Sequence, residues 1–549
     1  MPTHQPWRDP PCVGSGGRFL DPPGLVTLRW ARWVNRCNAP NEASAAPGPG
    51  GPRTCGYPPW VSVASRQAAV AAGDRQTRDA AVSVLRQGGN AVDAAIGAGF
   101  AAAVAEPGLT SLGGGGFLLA RTPEGTTDLL DFFVDAPGHG LPAGDLAPHF
   151  SPVTIDFSGA LQVFHAGFGS VAVPGVLSGY LAAHRELGRL PLRAVVAPAA
   201  ALARAGAELS TTQATVLSLL RDILSLTPDA ADLFLANGRP PLRGERLHNP
   251  TYADFLETLG QREPAGWHDL PEALPLIDSM RANDGLLTLA DLEAYRVAKR
   301  EPTTATYRGA RLTTNPPPSF GGSIVCRALS TLDAQTSDDR PSAAELVAAL
   351  EQATLEQKSQ NNAAPTSSKG TTHVSVIDAD GFIASMTTSN GSCSGVLVPG
   401  TGVQLNNMMG EADLHPDGFH GAEPGTRVAS MMAPSLLDLP DGSVTALGSG
   451  GSERIRSALL QTVTRLVSGD ALEDAVSSPR VHFDGTTSQL EPGVSDAVAA
   501  ELETLGPVQR WSTSSVYFGG VNAVRRHPDG RLEATGDSRR DGAGVVIDL

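Results

Sequence analysis

Positive charge is scarce in this sequence: 41 Lys and Arg stand against 57 Asp and Glu, a formal charge of −16. The electrostatic footprint with which proteins hold nucleic acid or anionic lipid is therefore missing, and small molecules or peptides are the expected partners. Cysteine is scarce too. Cys12, Cys37 and Cys55 are widely spaced with no nearby His pair, which does not suit a zinc site, and the odd total of five gives no disulfide framework. Cys326 and Cys393 read as buried thiols. No long apolar run occurs: residues 94–105 are uncharged for only about a dozen positions, against the ~18 that suggest a membrane span. A secretory apolar core is also lacking, since Arg29, Arg32 and Arg36 interrupt the one candidate, so the default location is cytoplasmic. There is no internal repeat, and no G-x-S-x-G elbow of the simplest serine hydrolases.

What is present is the balance of a globular protein, 41% hydrophobic and 18% charged. Composition shifts once, near residue 60. Prolines and four of the six tryptophans (Trp7, Trp30, Trp33, Trp60) crowd into residues 1–60, which read as an irregular or disordered leader to one large catalytic unit.

Regular patterning begins after that point. Residues 77–104 read as two helices. The first is closed by Gly88 and the second opened by Asn90, with Asp93 as its capping-box partner. The second is so rich in alanine that it belongs in a sandwich interior. Strands are expected at 117–121 and 127–133, joined through Pro123–Glu124–Gly125, and again around 371–378, 382–388 and 442–448. Helices are expected at about 175–187, 191–207 and 213–226, from Thr288 with Asp291 in its first turn, and at 453–468 with Ile455, Leu459, Leu460, Val463, Leu466 and Val467 on one stripe. Strands inside and helices outside are the expected layers.

Four consecutive glycines, Gly113–Gly116, do not make a dinucleotide site, because the sixth position of that frame is Leu118 and the run precedes a strand. They form a tight backbone turn or border a catalytic centre. The glycines of "GSGGSERIRSALL" (448–460) lead straight into a helix, where free N–H groups either hold an acyl-transfer oxyanion or simply turn the chain. His415 and His420, separated by Pro416 and Gly418, offer no helical metal-ligand face, and no metal or cofactor is expected. Thr371 follows the polar "EQKSQNNAAPTSSKG" and starts an alternating strand pattern. A threonine hydroxyl becomes a useful nucleophile when a free α-amino group on the same residue acts as base, which requires cleavage at Gly370–Thr371. The other reading is a loop entering a strand that happens to begin with threonines.

Several blocks in order resemble the γ-glutamyltranspeptidases (glutathione hydrolases), self-processing members of the N-terminal nucleophile hydrolases. They include "GGNAVDAA" (88–95), "LGGGGF" (112–117), "VPGVLSGY" (173–180), "GLLTLADLEAY" (285–295), "TTHVSVIDADG" (371–381), "LNNMM" (405–409), "GSGGSERI" (448–455) and "SPRVHFDG" (478–485). The resemblance implies an α+β fold, a four-layer αββα sandwich. It is built from a large segment 61–370 and a small segment 371–549 that stay associated after Thr371 Oγ attacks the Gly370 carbonyl. It implies a Thr371 acyl-enzyme, Ser389 orienting the nucleophile, and Gly451 with Ser452 as the oxyanion hole. Backbone donors survive the change to Ser452. Ser430 is implied to hold the donor's carboxylate and Glu411 its amino group.

Three positions depart from the family pattern. Phe133 stands where an arginine clasps the donor carboxylate, Met431 replaces a second serine, and Gly391 replaces an amide or acid near the donor amine. Leaving that carboxylate unpaired in a closed pocket costs several kcal/mol. A γ-glutamyl transferase or hydrolase leads this reading because Thr371, Ser389, Ser430 and the glycine turn remain together. An amidase or acylase with a different acyl donor, and a self-cleaved but idle scaffold, are the alternatives.

Overall fold

Two sheets carry the architecture, with strands β1 (Gln67–Ala72), β2 (Gly115–Arg121), β3 (Thr127–Phe132), β4 (Ala298–Arg300), β5 (Thr303–Tyr307), β6 (Ala310–Thr314), β7 (Thr371–Ile377), β8 (Ile383–Ser389), β9 (Ser435–Asp438), β10 (Val444–Gly450), β11 (Gly520–Arg526), β12 (Leu532–Thr535) and β13 (Ala543–Asp548). The seven-stranded sheet runs β13-β1-β7-β8-β2-β3-β4, and the six-stranded sheet β12-β11-β10-β9-β6-β5. The computed structural model describes residues 66–142, 147–156, 161–335, 340–361, 370–411, 414–415 and 418–549. The leader expected at 1–60 lies outside them. Residues Ala64–Leu549 group as one unit.

Period-2 alternation decides which face each strand gives to which layer. Ala69, Ala71, Leu119, Leu129, Ile377 and Ile383 of the first sheet meet Leu436, Ala446 and Val524 of the second. Their alternates Ala68, Val70, Leu118, Leu130, Val374, Val376, Ala384 and Met386 face outward, onto α1 (Arg75–Arg86), α2 (Ala91–Ala105), α3 (Val176–Leu187) and α4 (Leu192–Ala205). On the far side, α5 (Phe320–Gln335) and α6 (Arg454–Val467) cover Leu312, Leu437, Leu447, Val521 and Ala523. This is the four-layer α+β sandwich.

Local signals land where expected. Gly88 follows α1 with φ +90°, Asn90 and Asp93 form a complete capping box on α2, and Thr288 with Asp291 forms another on Leu289–Ala294. Cys326 and Cys393 are buried free thiols. Three expectations need correction. The helix expected at 213–226 is two, Thr211–Leu219 and Arg221–Leu224, because Leu220 leaves helical angles so that Leu217, Leu220, Ile223 and Leu224 all reach one apolar cluster. The alanine-rich α2 is buried against the outer face of the seven-stranded sheet rather than between the sheets; its small residues let α1 and α4 close over it. The polar run before Thr371 is not loose throughout: helix Ala343–Asn361 extends into it, and residues 362–369 lie outside the described residues.

Candidate active site

Thr371 opens β7 opposite Ser389, which in turn stands opposite Gly115 of β2. Alternation turns Thr371, like His373 and Ser375, toward the second sheet, and turns Thr372 toward the helices. The Thr371 hydroxyl donates to Ser389 Oγ at 3.4 Å, while Ser389 Oγ donates to the Gly370 carbonyl oxygen and accepts the Gly391 N–H at 3.1 Å. One hydroxyl thus touches both the Thr371 hydroxyl and the carbonyl of the preceding residue. Behind them His373 hydrogen-bonds Thr387 at 2.8 Å and Ser375 at 2.9 Å, and Asn522 of the other sheet donates to the His373 carbonyl at 2.9 Å. Burial pushes His373 down to about 3, so its ring stays neutral and bonds within its own sheet, while its carbonyl makes the link to the other.

A narrow pocket touches Thr371, its interior only ≈ 10 Å³, about the room of one water, and it is lined by Phe133, Leu414, Ser430, Met431, Met432, Ser452 and Ile455. No charged side chain lines it among the described residues. The Phe133 ring stacks on Phe117 with centroids 5.7 Å apart, an arrangement that contributes about 1 kcal/mol beyond burial. Ser430 turns its hydroxyl inward to accept the Met432 N–H at 3.1 Å. Ser452 sits at φ +57° just before α6. The change from glycine is therefore not free, since a side chain in the left-handed region costs about 1–2 kcal/mol.

Gly391 and Glu411 do not join this group. Gly391 lies on the other side of the scissile bond, beside Gly370 and Ser392 in a second cavity. A Cβ on Gly391 would sit 2.3 Å from Asn407 Oδ1 and 2.8 Å from Glu411 Oε1, and φ is +63°. Any side chain there collides with the residues already filling the space. Glu411 is buried and accepts from Ser392 at 3.4 Å. The four-glycine turn packs backbone against backbone: a Cβ on Gly114 would lie 2.1 Å from the Ser389 carbonyl, beside Thr371. His415 and His420 each bond a backbone carbonyl, those of Met408 and Gly169.

Two site residues escaped the sequence reading. Arg540 donates to the Thr371 carbonyl at 3.1 Å. Glu106, at the end of α2, accepts from Thr372 at 2.6 Å and Thr77 at 2.7 Å. Full burial, reinforced by nearby Asp74, lifts its carboxyl from 4.5 to about 7. The folded state then keeps a proton that the unfolded chain has already released, so stability falls as pH rises from about 4.5 to about 7. Glu106→Gln should abolish that decline, gaining up to about 3 kcal/mol relative to wild type by pH 8. Denaturation midpoints across that range check this; parallel curves for both proteins refute it.

The Gamma-glutamyltranspeptidase family model matches residues 77–354 and 340–547. The acylase ACY 1 proenzyme of Pseudomonas sp. (strain SE83) is 31% identical over 522 residues, 85% of this chain and 91% of its own length. The glutathione hydrolase proenzyme of Escherichia coli (strain K12) is 28% identical over 91% of this chain and 95% of its own. The solved cephalosporin acylase from Bacillus halodurans superposes with a TM-score of 0.74 at 25% identity, covering 90% of this chain and 98% of that one. With the layered sheets and this match in agreement, the chain belongs to the γ-glutamyltranspeptidase family.

Proposed function

We propose that the chain cuts itself at Gly370–Thr371 and then acts as an amide acylase whose acyl group carries no carboxylate. In the first step Thr371 Oγ bonds to the Gly370 carbonyl carbon, the C–N bond breaks and the nitrogen takes the proton. Water then hydrolyses the ester, leaving an amine on Thr371 that serves as base in turnover. The substrate amide repeats the sequence: its carbonyl becomes an ester on Oγ, its amine departs protonated, and water or a second amine takes the acyl group. Ser389 orients the nucleophile, and the 451–452 turn before α6 supplies backbone donors for the oxyanion.

The cavity wall of Phe133, Leu414, Met431, Met432 and Ile455 carries the choice of acyl group. It pairs with no anion but desolvates an uncharged chain favourably. The similarity to proteins named acylase supports the same reading. Retention of Ser430 in the pocket favours a second one, a γ-glutamyl donor. Two measurements test these. Edman sequencing should return a fragment starting T-T-H-V-S-V. Against a panel of 4-nitroanilides, short uncharged acyl groups should exceed γ-glutamyl by at least about a hundredfold in kcat/KM, the scale of one carboxylate left unpaired. The reverse order assigns the γ-glutamyl reading, cleavage without turnover of any member leaves a processed scaffold, and an active uncut chain removes the mechanism.

A further inference from the structure

A cleft in the outer helix layer shares no residue with the Thr371 pocket. It lies between helix Ala343–Asn361 and α6, with strand Val481–Phe483 along one side. Its interior of ≈ 150 Å³ has room for a benzene ring. Leu346, Val347, Leu350, Leu460, Val481 and Phe483 make it apolar, and Arg456 is the one cation that lines it. Arg456 is 5% exposed. Of the five N–H donors of a guanidinium, Nη1 bonds Thr354 Oγ1 at 2.8 Å, while Nε has no hydrogen-bond partner among the described residues. Glu453 Oε2 stands 4.0 Å from Nη2, outside hydrogen-bond distance. The other polar groups of the wall are engaged. Thr354 gives its own proton to the Leu350 carbonyl at 2.6 Å, Ser457 bonds His482 at 2.8 Å, and Gln461 donates to the carbonyls of Ser457 and Val481, each at 2.8 Å. Burial holds Arg456 below the usual arginine range, and the Glu453 charge offsets this only in part.

A buried cation with donors to spare is costly until an anion reaches it. The cleft sets what that anion is. Its walls desolvate an apolar body, and its end offers one guanidinium for one carboxylate. Glu351 and Asp484 also line the cleft, both exposed, and repel any second negative charge. We propose that this cleft binds a small monocarboxylate on an aromatic or short aliphatic body, with the carboxylate on Arg456 and the body between Leu350, Leu460 and Phe483. The occupant touches the helix that runs toward Gly370 and the helix that follows the Gly451–Ser452 turn, so it ties the two together and stabilises the folded chain. The site is separate from the acylase reading and holds whatever acyl group that reaction takes.

Calorimetric titration of the purified full chain with benzoate, and with benzyl alcohol as its uncharged counterpart, tests this without any turnover. Benzoate should bind at least about tenfold more tightly and raise the thermal midpoint, and isophthalate, with its second carboxylate, should bind more weakly than benzoate. Thr371→Ala should bind benzoate as the wild type does, and Arg456→Met should lose the preference. Equal binding of benzoate and benzyl alcohol by the wild type, or none of either, overturns the proposal. Benzoate binding that survives in Arg456→Met, or is lost in a folded Thr371→Ala, places the ligand elsewhere and overturns it too. Should Arg456→Met not fold, the anomalous signal of 4-bromobenzoate in wild-type crystals decides. Bromine beside Leu350 and Leu460 upholds the site, and bromine anywhere else, or nowhere, refutes it.

Discussion

Thr371→Ala should accumulate as one uncut polypeptide and lose amidase activity by a factor on the order of 10⁶, the scale on which a hydrolase falls when its nucleophile is removed. The reason lies in the register. Only Thr371 places a hydroxyl on the inter-sheet face next to both Ser389 and Gly370, because Thr372 is turned by alternation toward Glu106. Thr371→Ser keeps the oxygen and should still be cut. Ser389→Ala keeps the nucleophile but removes the hydroxyl that donates to the Gly370 carbonyl, and should slow cleavage by about 10²–10³, the range for losing one oxyanion donor. Mass spectrometry and amino-terminal sequencing of the three purified variants decide it. Normal cleavage of Thr371→Ala would mean that another group cuts the chain.

Asp537→Ala should be the most damaging substitution away from the nucleophile. Asp537 is 1% exposed and receives Arg480 at 2.6 Å, Arg539 at 3.1 Å and the Val521 N–H at 2.9 Å. Burial by itself would raise its pKa, and the two guanidinium groups more than offset this, leaving it below the ordinary value. Truncation leaves Arg480 charged in the interior with only the carbonyls of Phe518 and Val476. Breaking one side of a buried ion pair costs about 3–5 kcal/mol, a large share of a stability that is typically about 5–15 kcal/mol. Asp537→Asn, which keeps the shape and an acceptor, should lose less. Denaturation midpoints measured in the uncut Thr371→Ala background give the comparison; a midpoint unchanged by Asp537→Ala contradicts the account.

Much of this molecule was legible from its letters because the relevant physics is short-range. Caps at Asn90–Asp93 and Thr288–Asp291 depend on residues three apart, and the strand over 371–377 shows its alternation openly. The order of the sheets was not legible from spacing: β7 pairs locally with β8, but its other neighbour β1 comes from far away in the chain and only nonlocal packing selects it. In the structure Thr371, Ser430, Met431, Phe133 and Ser452 line one pocket, whereas Gly391 borders a second and Glu411 bonds Ser392 beside it. Arg540 gave no signal, being one of two adjacent arginines near the end of the chain. Glu106 did give one: an acid closes an alanine-rich helix, whose other acid is the Asp93 cap, at the end where the backbone dipole disfavours negative charge. Its proton-holding state could have been anticipated.

The hydrogen-bonded ladder in which β7 is flanked by β1 and β8 has an outcome beyond catalysis. Once the bond before Thr371 is severed, the two pieces are woven through each other, and nothing is free to drift off. Pulled apart by heat, however, they become separate molecules whose reunion depends on how often they collide, where the uncut precursor needed only itself. A matured sample therefore endures through the barrier to its first opening, and dilute material that has once come undone should stay inactive.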